Sequence, residues 1–311
     1  MYRLVVSAVA IAAAFAVAEC TTRFAYRQDT SNGHGASVRA DHGGDASPIV
    51  NNLGFREGPI GPKDPDQFRI AIIGDSFSWG QGLQERERFS NLLDAQLGPR
   101  YEVLNFGLPG HTMPEHVDEL EPVLKLKPDF VLLQLYINNF ETPGMRRPSA
   151  YPLLPADLNA RLTDASLVYQ LLADRWAQLQ ESLGLVDSYA RYLARHLRDP
   201  NSPDSREAFG KLRQFISRTR AAGVPTGAVL FPATDSMGPN GLDYPFGFIH
   251  DRVQAICAEE RIVFVDLLAP FARAGDPHSL WVSPFDAHPN ALANQRAAAE
   301  ILDAFAESWR R

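Results

Sequence analysis

The chain has 311 residues, 45% hydrophobic and 22% charged, a composition that excludes disorder, collagen and a coiled coil as descriptions of the whole. The formal net charge of −7 argues against a nucleic acid partner, because phosphate binding requires a basic surface. With two cysteines and neither a Cys-x-x-Cys nor a His-Glu-x-x-His motif, we expect no disulfide framework, no metal and no cofactor.

Residues 1–18 have the pattern of a secretory signal. Arg3 precedes an apolar run that ends in Ala-Val-Ala at Ala18. This run is shorter than the ~20 residues of a membrane span and suits the roughly 7 to 15 residues of a signal-peptide core. We therefore predict export to the periplasm or beyond, with cleavage before Glu19. The alternative is an uncleaved Ala-rich anchor, which would be the chain's contact with a membrane.

The segment that follows, residues 19–66, is rich in Gly, Ser, Asn, Asp and Pro. It carries almost no periodic apolar pattern, so we interpret it as a linker and lead-in. Residues 67–311 then form the predicted main domain.

From Phe68 onward, short apolar runs alternate with amphipathic segments, which is typical of parallel strands joined by crossover helices. The pattern predicts an α/β fold with a mostly parallel five-stranded sheet that is buried on both faces. The predicted strands are Phe68–Ile73, Tyr101–Leu104, Phe130–Tyr136, Val224–Phe231 and Ile262–Val265.

A helical insertion is predicted at about residues 141–204, between the third and fourth strands. Helical periodicity covers Leu167–Leu183 and Val186–Leu197, which is longer than a usual crossover. A lid, an interaction surface and a thicker outer layer all remain open as its role.

Four groups of polar residues follow predicted strands or lie near the C-terminus. Ser76 comes after the first strand, Gly107 after the second and Asn138 after the third, and Asp286 and His288 precede the last helix. Ligands of parallel sheets bind at the carboxyl ends of the strands, so we expect these residues to meet.

Together they supply what acyl transfer needs. Ser76 is the candidate nucleophile and His288 its base, with Asp286 as the residue that orients the imidazole. Pro289 favours extended backbone at His288, where residues two apart share a side. The Ser76 N–H, the Gly107 N–H and the Asn138 amide are the candidate oxyanion donors.

These residues resemble those of the SGNH hydrolases, or GDSL esterases and lipases, in which the four letters would be Ser76, Gly107, Asn138 and His288. The resemblance covers the chain from about Asn51 to its end. It rests on three motifs in this order: Gly74-Asp75-Ser76, Asn105-x-Gly107-x-x-Gly110 and Asp286-x-His288-Pro289-Asn290. It implies a three-layer α/β/α sandwich of flavodoxin-like type.

Two departures from the family pattern leave alternatives open. The usual Gly-x-Asn-Asp is Tyr-Ile-Asn138-Asn139, so the choice of Asn138 rests on pattern alone. The frequent Asp-x-x-His is Asp-x-His, so Asp276 or a backbone carbonyl could orient His288 in place of Asp286. Similar short spacing occurs in relatives that act on acylated polysaccharides.

The leading hypothesis is an exported serine esterase that removes short acyl groups, such as acetyl, from a carbohydrate or small-molecule ester. The alternatives are a polysaccharide O-acyltransferase that uses the same site and a non-catalytic polysaccharide-binding protein. His111 and His116 follow Gly110, and we expect them at the surface, with contact to substrate as the alternative.

Overall fold

The computed structural model of the chain describes residues 13–24, 50–51, 53–146, 149–284 and 286–309. Residues 1–12 of the predicted signal and 25–49 of the predicted linker therefore lie outside the described part. The described residues belong to two compact units. One comprises those of Met1–Gly33 and Arg146–Tyr192, the other those of His34–Met145 and Leu193–Arg311.

The second unit is built on a five-stranded parallel sheet. Its strands are β1 (Phe68–Gly74), β2 (Tyr101–Gly107), β3 (Phe130–Leu135), β4 (Thr226–Leu230) and β5 (Val263–Asp266), in the order β2-β1-β3-β4-β5. The strand order reverses beside β1, which pairs in parallel with both β2 and β3. All five predicted strands are present, and the prediction of an α/β fold is confirmed.

The other main elements of the described residues are α-helices and a short β-hairpin. The α-helices are residues 13–24 (α1), Ser76–Trp79 (α2), Phe89–Leu97 (α3), Met113–Leu124 (α4), Ala156–Ala165 (α5), Leu167–Ser182 (α6), Tyr189–Leu197 (α7), Pro203–Ala221 (α8), Gly247–Glu259 (α9), Leu268–Ala272 (α10) and Ala291–Phe305 (α11). The hairpin pairs β6 (Trp281–Ser283) with β7 (Asp286–Pro289) in antiparallel fashion, and the sequence did not indicate it.

Helices cover both faces of the sheet, which explains the unbroken apolar runs of its strands. Ile70 and Ile72 of β1 share a core with side chains of α3 and α11. Ala71 and Ile73 point to the opposite face and are buried as completely. Helices α4, α8 and α9 contact β1, β4 and β5 and form the other layer.

The first unit contains α1, α5 and α6. The two helical patterns predicted for the insertion correspond to α6 and α7, whereas α5 is an additional helix. Residues 19–24, which the sequence assigned to a linker, are helical. The Glu19 carboxylate accepts hydrogen bonds from Ser166 Oγ (2.7 Å) and from the N–H groups of Leu167 and Val168 (3.1 Å each), and so caps the start of α6.

Gly107, the last residue of β2, allows α2 to lie directly against the sheet. A Cβ at this position would be 2.4 Å from the backbone nitrogen of Trp79 and 2.6 Å from Ser78 Cβ. These atoms belong to the helix backbone or its first side-chain carbon, so no rotamer change can relieve the overlap.

We predict that Gly107→Ala lowers the free energy of unfolding by about 1–3 kcal/mol, because α2 must move away from β2. Gly210→Ala is the matched control, since Gly210 is an exposed glycine within α8 and a Cβ added there would meet no atom within 4 Å. This control should gain roughly 0.5–1 kcal/mol from helix propensity. Urea unfolding measures both changes, and equal midpoints for Gly107→Ala and the wild type would contradict the close approach.

Candidate active site

Ser76 is the first residue of α2, directly beyond the carboxyl end of β1. The helix cap is Asp75, whose carboxylate accepts the N–H of Phe77 (2.9 Å), so capping is not the role of Ser76. The buried Gln134 Oε1 accepts from Asp75 N (3.1 Å), Ser78 N (3.2 Å) and Ser78 Oγ (2.8 Å). These contacts hold the turn and leave the Ser76 side chain half-buried at the edge of the sheet.

The structure brings Ser76, His288 and Asp286 together. His288 Nε2 lies 2.9 Å from Ser76 Oγ, and His288 Nδ1 lies 2.5 Å from Asp286 Oδ1. Both residues of the Asp-x-His pair belong to β7, and this extended geometry lets them share a side. The alternative Asp276 contacts His278 Nδ1 at 2.9 Å instead.

The Asp286 carboxyl is suited to orient the imidazole. Burial raises its pKa, but hydrogen bonds and charge interaction with His288 outweigh burial, and the net pKa lies below the ordinary 3.8. Asp286 is therefore ionised at neutral pH and can only accept a hydrogen bond, here from the Nδ1–H of His288. With the proton held on Nδ1, the lone pair of Nε2 faces Ser76 Oγ, as a general base requires.

The two asparagines after β3 have different surroundings. Asn139 is fully buried, and its amide donates to Asp75 Oδ2 (2.9 Å) and to the carbonyl of His111 (3.0 Å). Its Oδ1 accepts from Tyr136 N (2.6 Å). Asn138 is half-exposed, and its Nδ2 makes no hydrogen bond to the described residues. Of the two asparagines, Asn138 is thus the one whose amide is available to donate a hydrogen bond to a substrate.

The expected role of Gly107 as an oxyanion donor is contradicted by its geometry. Its N–H already donates to Asn105 Oδ1 (2.9 Å). Successive N–H groups of a strand point to opposite sides, and Leu108 N is the one that bonds β1, at Gly74 O (3.0 Å). The N–H of Gly107 therefore points away from β1, the strand that leads into Ser76.

Gly110 offers an uncommitted N–H in the same loop. It has a left-handed φ of 79°, is exposed, and its N–H has no hydrogen-bond partner within the described part of the chain. The Pro109-Gly110 pair is a turn signal that favours a positive φ at the glycine, so the sequence contained the information needed to consider this residue.

Two positioning residues were also missed. Gln134 is a polar residue within an apolar strand that is buried on both faces, and such a residue needs a buried partner. Arg56 donates to the carbonyls of Trp79 (3.2 Å), Gly80 (2.9 Å) and Leu83 (2.7 Å), and so caps the far end of α2. It belongs to the lead-in that resembles the family, but no pattern indicated this contact.

The chain is similar to several solved structures, whereas no curated protein matches it by sequence. The similar structures include TesA, with 15% identity over 76% of this chain and 97% of that one and a TM-score of 0.46. The esterase EstA from Pseudoalteromonas sp. has 15% identity over 78% and 98% and a TM-score of 0.46. The acetyl xylan esterase AlAXEase has 13% identity over 76% and 98% and a TM-score of 0.47.

The sequence model of the GDSL-like lipase/acylhydrolase family matches residues 72–296, which is well over half of the chain. The match includes Ser76, Asn138, Asp286 and His288, and it confirms the resemblance seen in the sequence. The chain thus belongs to the GDSL-like lipase/acylhydrolase family of carboxylic ester hydrolases.

Proposed function

We propose that the chain is an exported serine esterase that removes short acyl groups, such as acetyl, from a carbohydrate or another small ester. The observation that carries the proposal is the continuous contact from Asp286 through His288 to Ser76, at 2.5 and 2.9 Å. A hydroxyl, a base and a carboxylate in this order are the parts of a serine hydrolase site.

In the proposed reaction, Ser76 Oγ attacks the ester carbonyl carbon while His288 Nε2 takes the hydroxyl proton. The resulting oxyanion accepts hydrogen bonds from Ser76 N, Asn138 Nδ2 and Gly110 N, the last in place of Gly107. The tetrahedral intermediate then expels the alcohol, which receives its proton from His288 and leaves an acyl-Ser76 ester. Water, deprotonated by His288, attacks this ester; the acid is released and His288 returns the proton to Ser76 Oγ.

An aromatic surface beside the imidazole supports a carbohydrate as the alcohol part. The ring of Phe77 lies 5.3 Å from that of His288 and stacks on Tyr136 at 4.2 Å. Tyr136 is half-exposed, so part of this aromatic pair is accessible to solvent. An aromatic face can receive the C–H side of a sugar ring. The Asp-x-His spacing shared with relatives that act on acylated polysaccharides agrees with this choice.

Ser76→Ala is expected to lower kcat/KM for p-nitrophenyl acetate at least ~10³-fold, because no acyl-enzyme can form. A fluorophosphonate probe should label the wild type and not the variant, while circular dichroism shows equal folding. Unchanged turnover by the variant would exclude the mechanism. With acetylated sugars, release of free acetate is the expected outcome, and acetyl transfer to a second sugar that outpaces it would identify a transferase.

Asn138→Ala and Asn139→Ala should separate an oxyanion donor from a structural residue. We expect Asn138→Ala to lower kcat ~10²- to 10³-fold with little change in stability. Asn139→Ala should instead lower the free energy of unfolding by about 1–3 kcal/mol, because buried Asp75 loses a donor. Steady-state kinetics and thermal unfolding give both quantities, and the reverse pattern would transfer the donor role to Asn139.

We also propose that residues 1–18 direct export and are removed. Glu19 and Arg23 follow the proposed cleavage point and contact other residues of the first unit, where Arg23 donates to the carbonyl of Ala165 (2.7 Å). A chain that begins at Glu19 retains these contacts. None of the described helices is both long and apolar enough to cross a membrane.

Mass spectrometry of the protein purified from its native host tests this proposal. We expect the mature chain to begin at Glu19 and to fractionate with the periplasm or medium. A chain that retains Met1 and sediments with membranes would identify the segment as an anchor. A chain that retains Met1 in the cytoplasm would exclude export.

A further inference from the structure

Three metal-binding side chains converge behind the Gly110 loop, where the sequence led us to expect surface histidines. His116 is fully buried and Glu119 is 8% exposed, whereas His111 is half-buried. His111 Nδ1 lies 2.5 Å from Glu119 Oε1, and His116 Nδ1 lies 3.4 Å from Glu119 Oε2. Ligand atoms from the three side chains all lie within 4.8 Å of one another.

The local structure explains why they meet. His116 and Glu119 are three residues apart on α4, so their side chains lie on the same face of the helix. Thr112 and Glu115 form a capping box at the start of α4. His111 immediately precedes Thr112, and its ring centroid lies 6.4 Å from that of His116.

The polar atoms of this cluster are poorly satisfied by the protein. His111 Nδ1 and Glu119 Oε1 are shielded from solvent and contact each other, but neither has a further hydrogen-bond partner among the described residues, and the buried Nε2 of His116 has none. A buried carboxylate with incomplete partners carries a large desolvation cost, which a cation would offset.

We propose that His111, His116 and Glu119 bind one divalent cation of the Zn²⁺ type. Two imidazoles and a carboxylate are a donor set that favours Zn²⁺ over Mg²⁺ or Ca²⁺, which prefer oxygen ligands alone. Ligands at Zn²⁺ distances in a tetrahedral site are roughly 3.3 Å apart. The His116–Glu119 pair has this separation. The His111–Glu119 pair is closer, and rotation of the half-exposed His111 ring can lengthen that distance.

The proposed ion has a structural consequence for the neighbouring loop. The carbonyl of His111 accepts from Asn139 Nδ2, and His111 follows Gly110 directly. An ion bound to the side chain of His111 therefore restrains the Gly110 loop through the side chain, in addition to the Asn139 contact with the His111 carbonyl. The ion lies outside the Ser76, His288 and Asp286 contacts, so its binding does not depend on the proposed esterase function.

Metal titration of the untagged full chain, stripped with a chelator and then freed of it, tests the proposal. We expect one Co²⁺ per chain with the visible absorption of a four-coordinate N/O site, displacement by Zn²⁺, and a higher unfolding temperature with either ion. His111→Gln should weaken binding by more than the ~10- to 100-fold typical of an outer-shell change. Glu119→Gln should do the same.

His278→Gln is the matched control, because His278 also pairs with an aspartate, Asp276, but is exposed and lies outside this cluster. It should bind Co²⁺ as the wild type does. Absence of saturable binding, or equal affinity of the wild type and folded His111→Gln, would overturn the proposal. Because His111 is half-exposed, this variant can fold even if Glu119→Gln cannot. The readouts are stoichiometry, absorption and unfolding temperature, so loss of esterase activity is not confused with loss of the ion.

Discussion

The site depends on a set of buried hydrogen bonds that fix the turn between β1 and α2. One oxygen, Gln134 Oε1, receives backbone N–H groups from both sides of Ser76, those of Asp75 and Ser78. Asp75 in turn is held by Asn139, which also binds the carbonyl of His111. Because Asp75, Gln134 and Asn139 are fully buried, the loss of a partner would leave an unsatisfied polar atom in the core. The turn therefore has one well-defined arrangement, and the geometry of Ser76 follows from it.

The same turn shows why a parallel sheet can gather residues that are distant in sequence. Ser76 follows β1, the Gly110 loop follows β2, and the asparagines follow β3, so parallel pairing brings all three to one edge. His288 arrives from a separate hairpin, and its imidazole contacts Ser76 across a sequence separation of 212 residues. The sheet sets the positions of the candidate donors and nucleophile, while the hairpin sets the position of the candidate base.

Periodicity and local rules predicted much of this arrangement. Apolar runs located all five strands, and the residue before Pro289 was expected to be extended, which is how Asp286 and His288 come to share a side. Gly107 was assigned wrongly because the direction of a strand N–H depends on pairing register, which one sequence does not contain. The contacts of Gln134 and Arg56 were missed for a similar reason, since each joins segments whose proximity only the fold creates.

The contacts of Arg56 have a practical meaning for the boundaries of the hydrolase domain. The family match begins at residue 72, yet Arg56 binds three carbonyls at the end of α2, and the Arg56 carbonyl accepts from Nη1 of buried Arg88 (2.6 Å). A fragment trimmed to the family limits lacks Arg56. The buried Arg88 guanidinium would then lose a hydrogen-bond acceptor, and the end of the helix that begins at Ser76 would lose its cap. A piece of the chain that keeps these contacts thus includes Arg56, upstream of the first strand.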